Sequence, residues 1–254
     1  VMLEVLKQKG RLRGVPVHLC LVPEQAIVHL EQLARAAPGE KMGLILRHDT
    51  NPLDPDSGQE IHYFAVMAEK TAQGLRIAIT DSFSSSYYRD HLVDGLEERF
   101  TQQGIACKIL LPKIEIDPKT HREVSFQRQS DFHSCAIFAM RDISQFCQHP
   151  EILDEIEKHA PAPVEDSSLV QFVPFERMPK ALMKATQSLT KIAAYDDQSV
   201  SEDLRKAGKI NPLSVKDQPG VIKDVNTLIM DRNRKYERIM IAAAIHRGLA
   251  KQSK

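Results

Sequence analysis

The chain has 254 residues, 42% hydrophobic and 27% charged, which suits one large globular domain, or a domain with an added lobe, around a real core. Its 34 basic residues balance its 34 acidic ones, arguing against nucleic-acid or membrane binding driven by overall charge. Four cysteines without a C-x-x-C pair (Cys20, Cys107, Cys135 and Cys147) argue against a disulfide framework and for a reducing compartment.

Taken in chain order, Pro23–Ala37 places Ile27, Leu30, Leu33 and Ala34 at helical spacing, with Pro38 and Gly39 to stop the helix. Met42–Arg47 predicts a short strand, and His48–Gly58, rich in Asp and Pro, a loop. Ile61–Ala68 and Leu75–Thr80 predict two strands joined by a turn, followed by a polar loop over Ser82–Ser86. Asp90–Gln103 is amphipathic through Leu92, Leu96 and Phe100; Ile105–Leu111 predicts a strand and Glu123–Gln127 a further one. Phe132–Phe146 carries Ala136, Ile137, Ala139, Met140 and Ile143, the pattern of a mostly buried helix. Beyond it the chain is expected to be helical and irregular. Ala160–Ser168 reads as a linker, Pro179–Tyr195 as a helix, Asn211–Gly220 as a loop and Lys223–Ala250 as one long helix. The fold class is α+β: a mixed sheet with helices outside it and a helical tail. No apolar run reaches the length of a membrane span. No secretory signal is legible in a chain that opens on Val1, which leaves room for upstream residues and a delivery signal.

One constellation carries chemistry. His62 lies in an apolar strand, Asp81 follows the next strand, and Cys135 stands at the expected start of a buried helix, with Gln129 six residues before it. A helix N-terminus favours a thiolate, the reactive form of cysteine. An imidazole can take its proton and return it to a leaving group, and a carboxylate can fix the tautomer and charge of that imidazole. Gln129 can donate an amide N–H to a developing oxyanion. Each residue alone has a plainer reading: a small core thiol, a structural histidine, a turn-forming aspartate. The case rests on the four together.

Other groupings are weaker. Asp54, Asp56 and Gly58 lack the further ligands of a calcium loop, and His48, Asp49 and His62 lack a zinc spacing, so no metal site is expected. Ser84–Tyr88 reads as a flexible polar loop able to line a cleft.

The order His62, Asp81, Gln129, Cys135, with Gln129-Ser130 leading into Cys135-Ala136-Ile137-Phe138, resembles the cysteine-enzyme clan of the ubiquitin-like-protein proteases and the YopJ effectors. Val173-Pro174, then Met183 through Ser188 with its Lys184 and Thr186-Gln187, and later Tyr195 are similar to the region after the YopJ catalytic core. Arg234 through Ile239 resembles that family's basic terminal helix. The resemblance spans roughly residues 40–245.

It implies a papain-like variant of the ubiquitin-like protease fold, with a catalytic core over residues 1–160. A helical regulatory and CoA-binding region over 161–254 would pack on that core. It implies a Cys–His–Asp triad of Cys135, His62 and Asp81, with Gln129 at the oxyanion. The implied activity moves acetyl from acetyl-CoA through Cys135 to Ser, Thr or Lys of host proteins, under activation by inositol hexakisphosphate. The implied setting is the host cytoplasm, after secretion by bacteria. Candidate residues for the CoA and inositol phosphate sites are Lys180, Lys184, Lys191, Arg234, Lys235 and Arg238. Independently of the family, Met230–Lys254 holds seven basic residues against two acidic ones, a fit to a polyphosphate as well as to a solvated helix face.

Departures are Asp81 where the family usually has Glu, Ser134 where an acid is common, Ala185 where His is frequent, and Leu189-Thr190 where basic residues are common. The alternative is a ubiquitin-type cysteine protease. Tyr63, where those proteases commonly place Trp, and the absence of any Trp from the chain argue against it.

Overall fold

A computed structural model of the chain describes residues 2–49, 61–82, 86–113, 115–116, 123–124, 135–160, 169–174 and 177–183. The elements are α1 (Met2–Gln8), β1 (Val17–Cys20), α2 (Pro23–Ala34), β2 (Lys41–Asp49), β3 (Ile61–Lys70), β4 (Leu75–Thr80) and α3 (Ser86–Gln103). They continue with β5 (Cys107–Pro112), β6 (Glu115–Ile116), β7 (Glu123–Val124), α4 (Cys135–Gln148), α5 (Ile152–Lys158), β8 (Val170–Val173) and α6 (Lys180–Met183).

A six-stranded mixed sheet in the order β1-β2-β3-β4-β5-β8 forms the centre. The β2–β3 and β3–β4 pairs are antiparallel; β1 joins β2, β5 joins β4 and β8 joins β5 in parallel. Strand alternation sorts the side chains onto two faces. Ile45, Ala65, Met67, Ala78 and Leu110 face α4 and α5. Leu44, Leu46, Phe64, Val66, Ile77, Ile79 and Ile109 face α2 and α3. Both faces are covered, which is why the central strands read as near-continuous apolar runs.

Two glycines permit close approaches. Gly43 in β2 lets α4 settle on the sheet, since a Cβ there would lie 3.0 Å from Ile143. Gly74, in the β3–β4 turn, has φ of +147°, and a Cβ would lie 2.3 Å from the carbonyl oxygen of Ala106.

Several boundaries differ from expectation. Helix α2 ends at Ala34, where the backbone N–H of Arg35 bonds the carbonyl of Gln32 and that of Ala36 bonds the carbonyl of Leu33. Helix α3 begins at Ser86, so Ser86, Tyr87 and Tyr88 belong to its first turn and not to the expected polar loop. Glu123–Val124 is a two-residue strand paired antiparallel with Glu115–Ile116, outside the main sheet. The elements α1, β1, β6 and β8 have no counterpart in the sequence reading, and α5 falls within the stretch expected only to be helical and irregular. Each spans at most seven residues, too short for its pattern to stand out. Strand β8 enters the main sheet from beyond residue 160, where a helical region was expected to begin. The predicted loops over His48–Gly58 and Asn211–Gly220, the linker and the two C-terminal helices lie wholly or largely outside the described residues.

Candidate active site

The site forms where the ends of β3 and β4 meet the start of α4. The β3–β4 pairing reaches Ala65 opposite Thr80. Strand β3 runs on past that pair, opposite β2 as far as Asp49–Ile61, and carries His62. Asp81 follows directly on Thr80. His62 Nε2 bonds both carboxyl oxygens of Asp81, at 2.9 Å each. Cys135 is the first residue of α4, at the positive end of its helix dipole. Its side chain lies within hydrogen-bonding reach of the imidazole. With Nε2 committed to Asp81, Nδ1 is the nitrogen left to exchange a proton with sulfur. The three residues are 8%, 4% and 3% exposed, so the constellation sits below the surface.

Burial of His62 works to lower its pKa, but the hydrogen bonds to Asp81 and Cys135 and the charges of both outweigh it, raising it from 6.5 to about 10. The imidazolium is therefore the favoured form at neutral pH. The other three cysteines are held as thiols. Burial pushes Cys20 up to about 11 and Cys147 up to about 11; burial and the charge of Glu97 push Cys107 up to about 12.

The structure thus brings together three of the four expected catalytic residues. Gln129, Lys184, Lys191, Arg234, Lys235 and Arg238 lie outside the described residues, and of Lys180 only its backbone place, at the start of α6, is described. Two further buried polar features went unread in the sequence. Thr80 Oγ1 donates to Asp142 Oδ2 at 2.7 Å, both residues being 1% exposed. Arg89, in the first turns of α3, is 4% exposed, and its Nε has no hydrogen-bond partner among the described residues. Its contact with the neighbouring carboxyl of Asp90 is long, at 3.5 Å. A lone Asp on the apolar helix that bears Cys135 was the available signal for the first; a single Arg following a Ser-rich stretch offered none for the second.

A cysteine at a helix start, an imidazole beside it and a carboxyl behind that imidazole define a thiol–imidazole–carboxyl site on an α+β scaffold. The family model described as YopJ Serine/Threonine acetyltransferase matches residues 11–247, and the chain belongs to that family of acetyltransferases. No curated protein sequence matches it. Among solved structures, it is similar to HopZ1a in complex with IP6, at 12% identity and a TM-score of 0.55, over 96% of this chain and 83% of that one. It is also similar to the AvrA delL154 variant with IP6 and CoA, at 12% identity and a TM-score of 0.50, over 82% of this chain and 70% of that one. These likenesses bear out the expected fold, and the family match selects the acetyltransferase over the ubiquitin-type protease. Among the described residues, no helix is long and apolar enough to cross a membrane.

Proposed function

We propose that the chain transfers acetyl groups by a two-step route through Cys135. In the first step the sulfur attacks the acetyl carbonyl of acetyl-CoA. The carbon–sulfur bond to CoA breaks, and His62 returns its proton to the departing CoA thiolate. In the second step a hydroxyl or amine of a host protein gives its proton to His62 while attacking the acetyl-cysteine, and Cys135 leaves as thiolate. Asp81 holds the imidazole in one tautomer and stabilises its cation. Gln129 and the backbone N–H of Cys135 are the proposed oxyanion donors. The observation that carries this reading is His62 lying between Asp81 and Cys135.

Inositol hexakisphosphate is proposed as activator. Two solved relatives of this fold hold IP6, one of them together with CoA. Arg89 fits such a polyanion, because a buried guanidinium whose Nε makes no hydrogen bond among the described residues, and only a long 3.5 Å contact with Asp90, is a group a phosphate satisfies. Lys180, Lys184, Lys191, Arg234, Lys235 and Arg238 are proposed to complete the CoA and phosphate sites. The proposed setting is the host cell, where the enzyme acts on signalling or immune proteins after delivery by bacteria. The core and a helical regulatory region beyond residue 160 would act together.

The test is incubation with labelled acetyl-CoA, with and without inositol hexakisphosphate. Label on the wild type, stimulated by the polyphosphate and lost in Cys135→Ala, is expected. Label that persists in Cys135→Ala would sink the acyl-enzyme.

A further inference from the structure

Helix α4 does more than carry Cys135. Asp142 lies seven residues further on, so the two share one helix face two turns apart, about 10 Å along the axis. Asp142 is 1% exposed in a stretch where Ala139, Met140, Ile143 and Phe146 are all buried. A carboxyl in such company is costly unless it is hydrogen-bonded. It accepts a bond of 2.7 Å from the hydroxyl of Thr80, the last residue of β4.

The alternation of β4 gives this bond its meaning. Ala78 faces α4, whereas Ile77 and Ile79 face α2 and α3. Thr80 continues the first set and reaches the helix. Asp81, next along the chain, bonds the imidazole of His62. The last residue of β4 and the residue directly after it thus hold the helix that bears the sulfur and the ring that serves it. The connections close into a loop: Cys135 along α4 to Asp142, across to Thr80, along the backbone to Asp81, across to His62, and back to Cys135. Apolar packing sets the spacing between α4 and the sheet, but it is non-directional and tolerates sliding and rolling. A short, buried O–H···O bond tolerates neither.

We propose that Thr80 and Asp142 are a positioning pair that fixes the height and roll of α4 against β4, and so sets the Cys135 sulfur against His62. This rests on the reading of Cys135 as nucleophile. It assigns no contact with substrate to either residue.

The test uses the full chain with Thr80→Val, which deletes the hydroxyl at constant shape, and Thr80→Ser, which keeps it. Three readouts are followed: the rate of Cys135 alkylation by iodoacetamide, the titration of the His62 ring by NMR, and kcat and KM for acetyl-CoA. Thr80→Val is expected to slow alkylation about tenfold or more, since misplacement of a reacting group by about 1 Å costs on that scale or above. It should also move the His62 titration toward lower pH and reduce kcat at unchanged KM. Thr80→Ser is expected to restore all three.

A folded Thr80→Val with wild-type alkylation and titration overturns the proposal, as does a Thr80→Ser variant equally impaired. If Thr80→Val does not fold, Asp142→Asn decides. It keeps an acceptor oxygen for Thr80 and is expected to hold alkylation within about threefold of wild type. A tenfold loss in that variant, fold intact, would place the requirement on the carboxyl charge and overturn the pair. A wild type that takes no acetyl, while its alkylation still depends on the Thr80 hydroxyl, would refute the acetyl-transfer reading and leave the positioning pair standing.

Discussion

Replacing Asp81 with Asn keeps the shape of the side chain and removes its charge, and the consequence can be worked from the site. His62 is raised from 6.5 to about 10 by hydrogen bonds and charge from Asp81 and Cys135, against the opposing effect of burial. At 1.36 kcal/mol per unit that rise is worth on the order of 5 kcal/mol, shared between the two partners. The sign follows from linkage. The folded value lies above the unfolded one, so the contribution is fully present below about pH 6.5 and is lost as pH rises through about 10. The wild type should therefore exceed Asp81→Asn in stability most at about pH 6, and the gap should narrow steadily toward about pH 10. Urea unfolding of both proteins across that range measures it, and the difference between them cancels the other groups that titrate there. In parallel, the His62 ring should titrate near neutrality in the variant and far above it in the wild type. Acetyl transfer should fall by roughly 10³–10⁴, the scale on which loss of the triad carboxylate slows other acyl-transfer enzymes. A stability gap that does not change with pH, or a wild-type His62 that titrates near 6.5, would refute the reasoning.

The other expectations concern separate parts of the molecule. Iodoacetamide at about pH 7.5 should alkylate Cys135 first, because burial holds Cys20, Cys107 and Cys147 as protonated thiols; peptide mass spectrometry gives the order, and early label on Cys107 would contradict it. Gly74→Ala should destabilise the fold by about 2–3 kcal/mol or more, since the new Cβ meets the Ala106 carbonyl at 2.3 Å in a strained backbone; an unchanged denaturation midpoint would remove the close approach from the argument. Inositol hexakisphosphate should raise the melting temperature of the wild type. Arg89→Gln should weaken that binding by about tenfold or more, the worth of one charge-assisted hydrogen bond; equal binding by calorimetry would take Arg89 out of the site.

Legibility in the sequence tracked the length and periodicity of each element. Leu75–Thr80 was legible to the residue because an apolar run ends against Asp81 and a polar stretch. The helix bearing Cys135 was legible from its buried face, but its first described residue is Cys135 itself, three residues beyond the expected start. Strands β1 and β8, four residues each, carry too little pattern to separate from loop, although both complete the sheet in parallel. Within the site, His62, Asp81 and Cys135 were legible because the chemistry needs those residue types and the resemblance supplied their order. Asp142 was not, because on the sequence an Asp in a helix reads as solvent-facing. Only the fold shows that position turned to the sheet and met by Thr80. Arg89 was hidden for the converse reason: arginine is ordinarily exposed, and its burial is a property of packing around α3.

The identity of the triad acid invites a stronger conclusion than it bears. Aspartate is the protease-like choice and glutamate the usual one in the YopJ family, yet the choice follows from reach. Here His62 extends past the last β3–β4 pair toward Asp81, the residue that follows β4, so the shorter side chain suffices and both its oxygens lie 2.9 Å from Nε2. A glutamate at the same position would have to fold back or displace the ring. Under the proposed mechanism the carboxyl would perform one task in either chemistry, orienting and charging the imidazole. Hydrolysis and transfer share an acyl-cysteine but differ in the acyl donor that forms it and in whether water or a protein hydroxyl or amine resolves it. The acid therefore reports the local geometry of β3 and β4, while the reaction is decided by what the rest of the chain brings to Cys135.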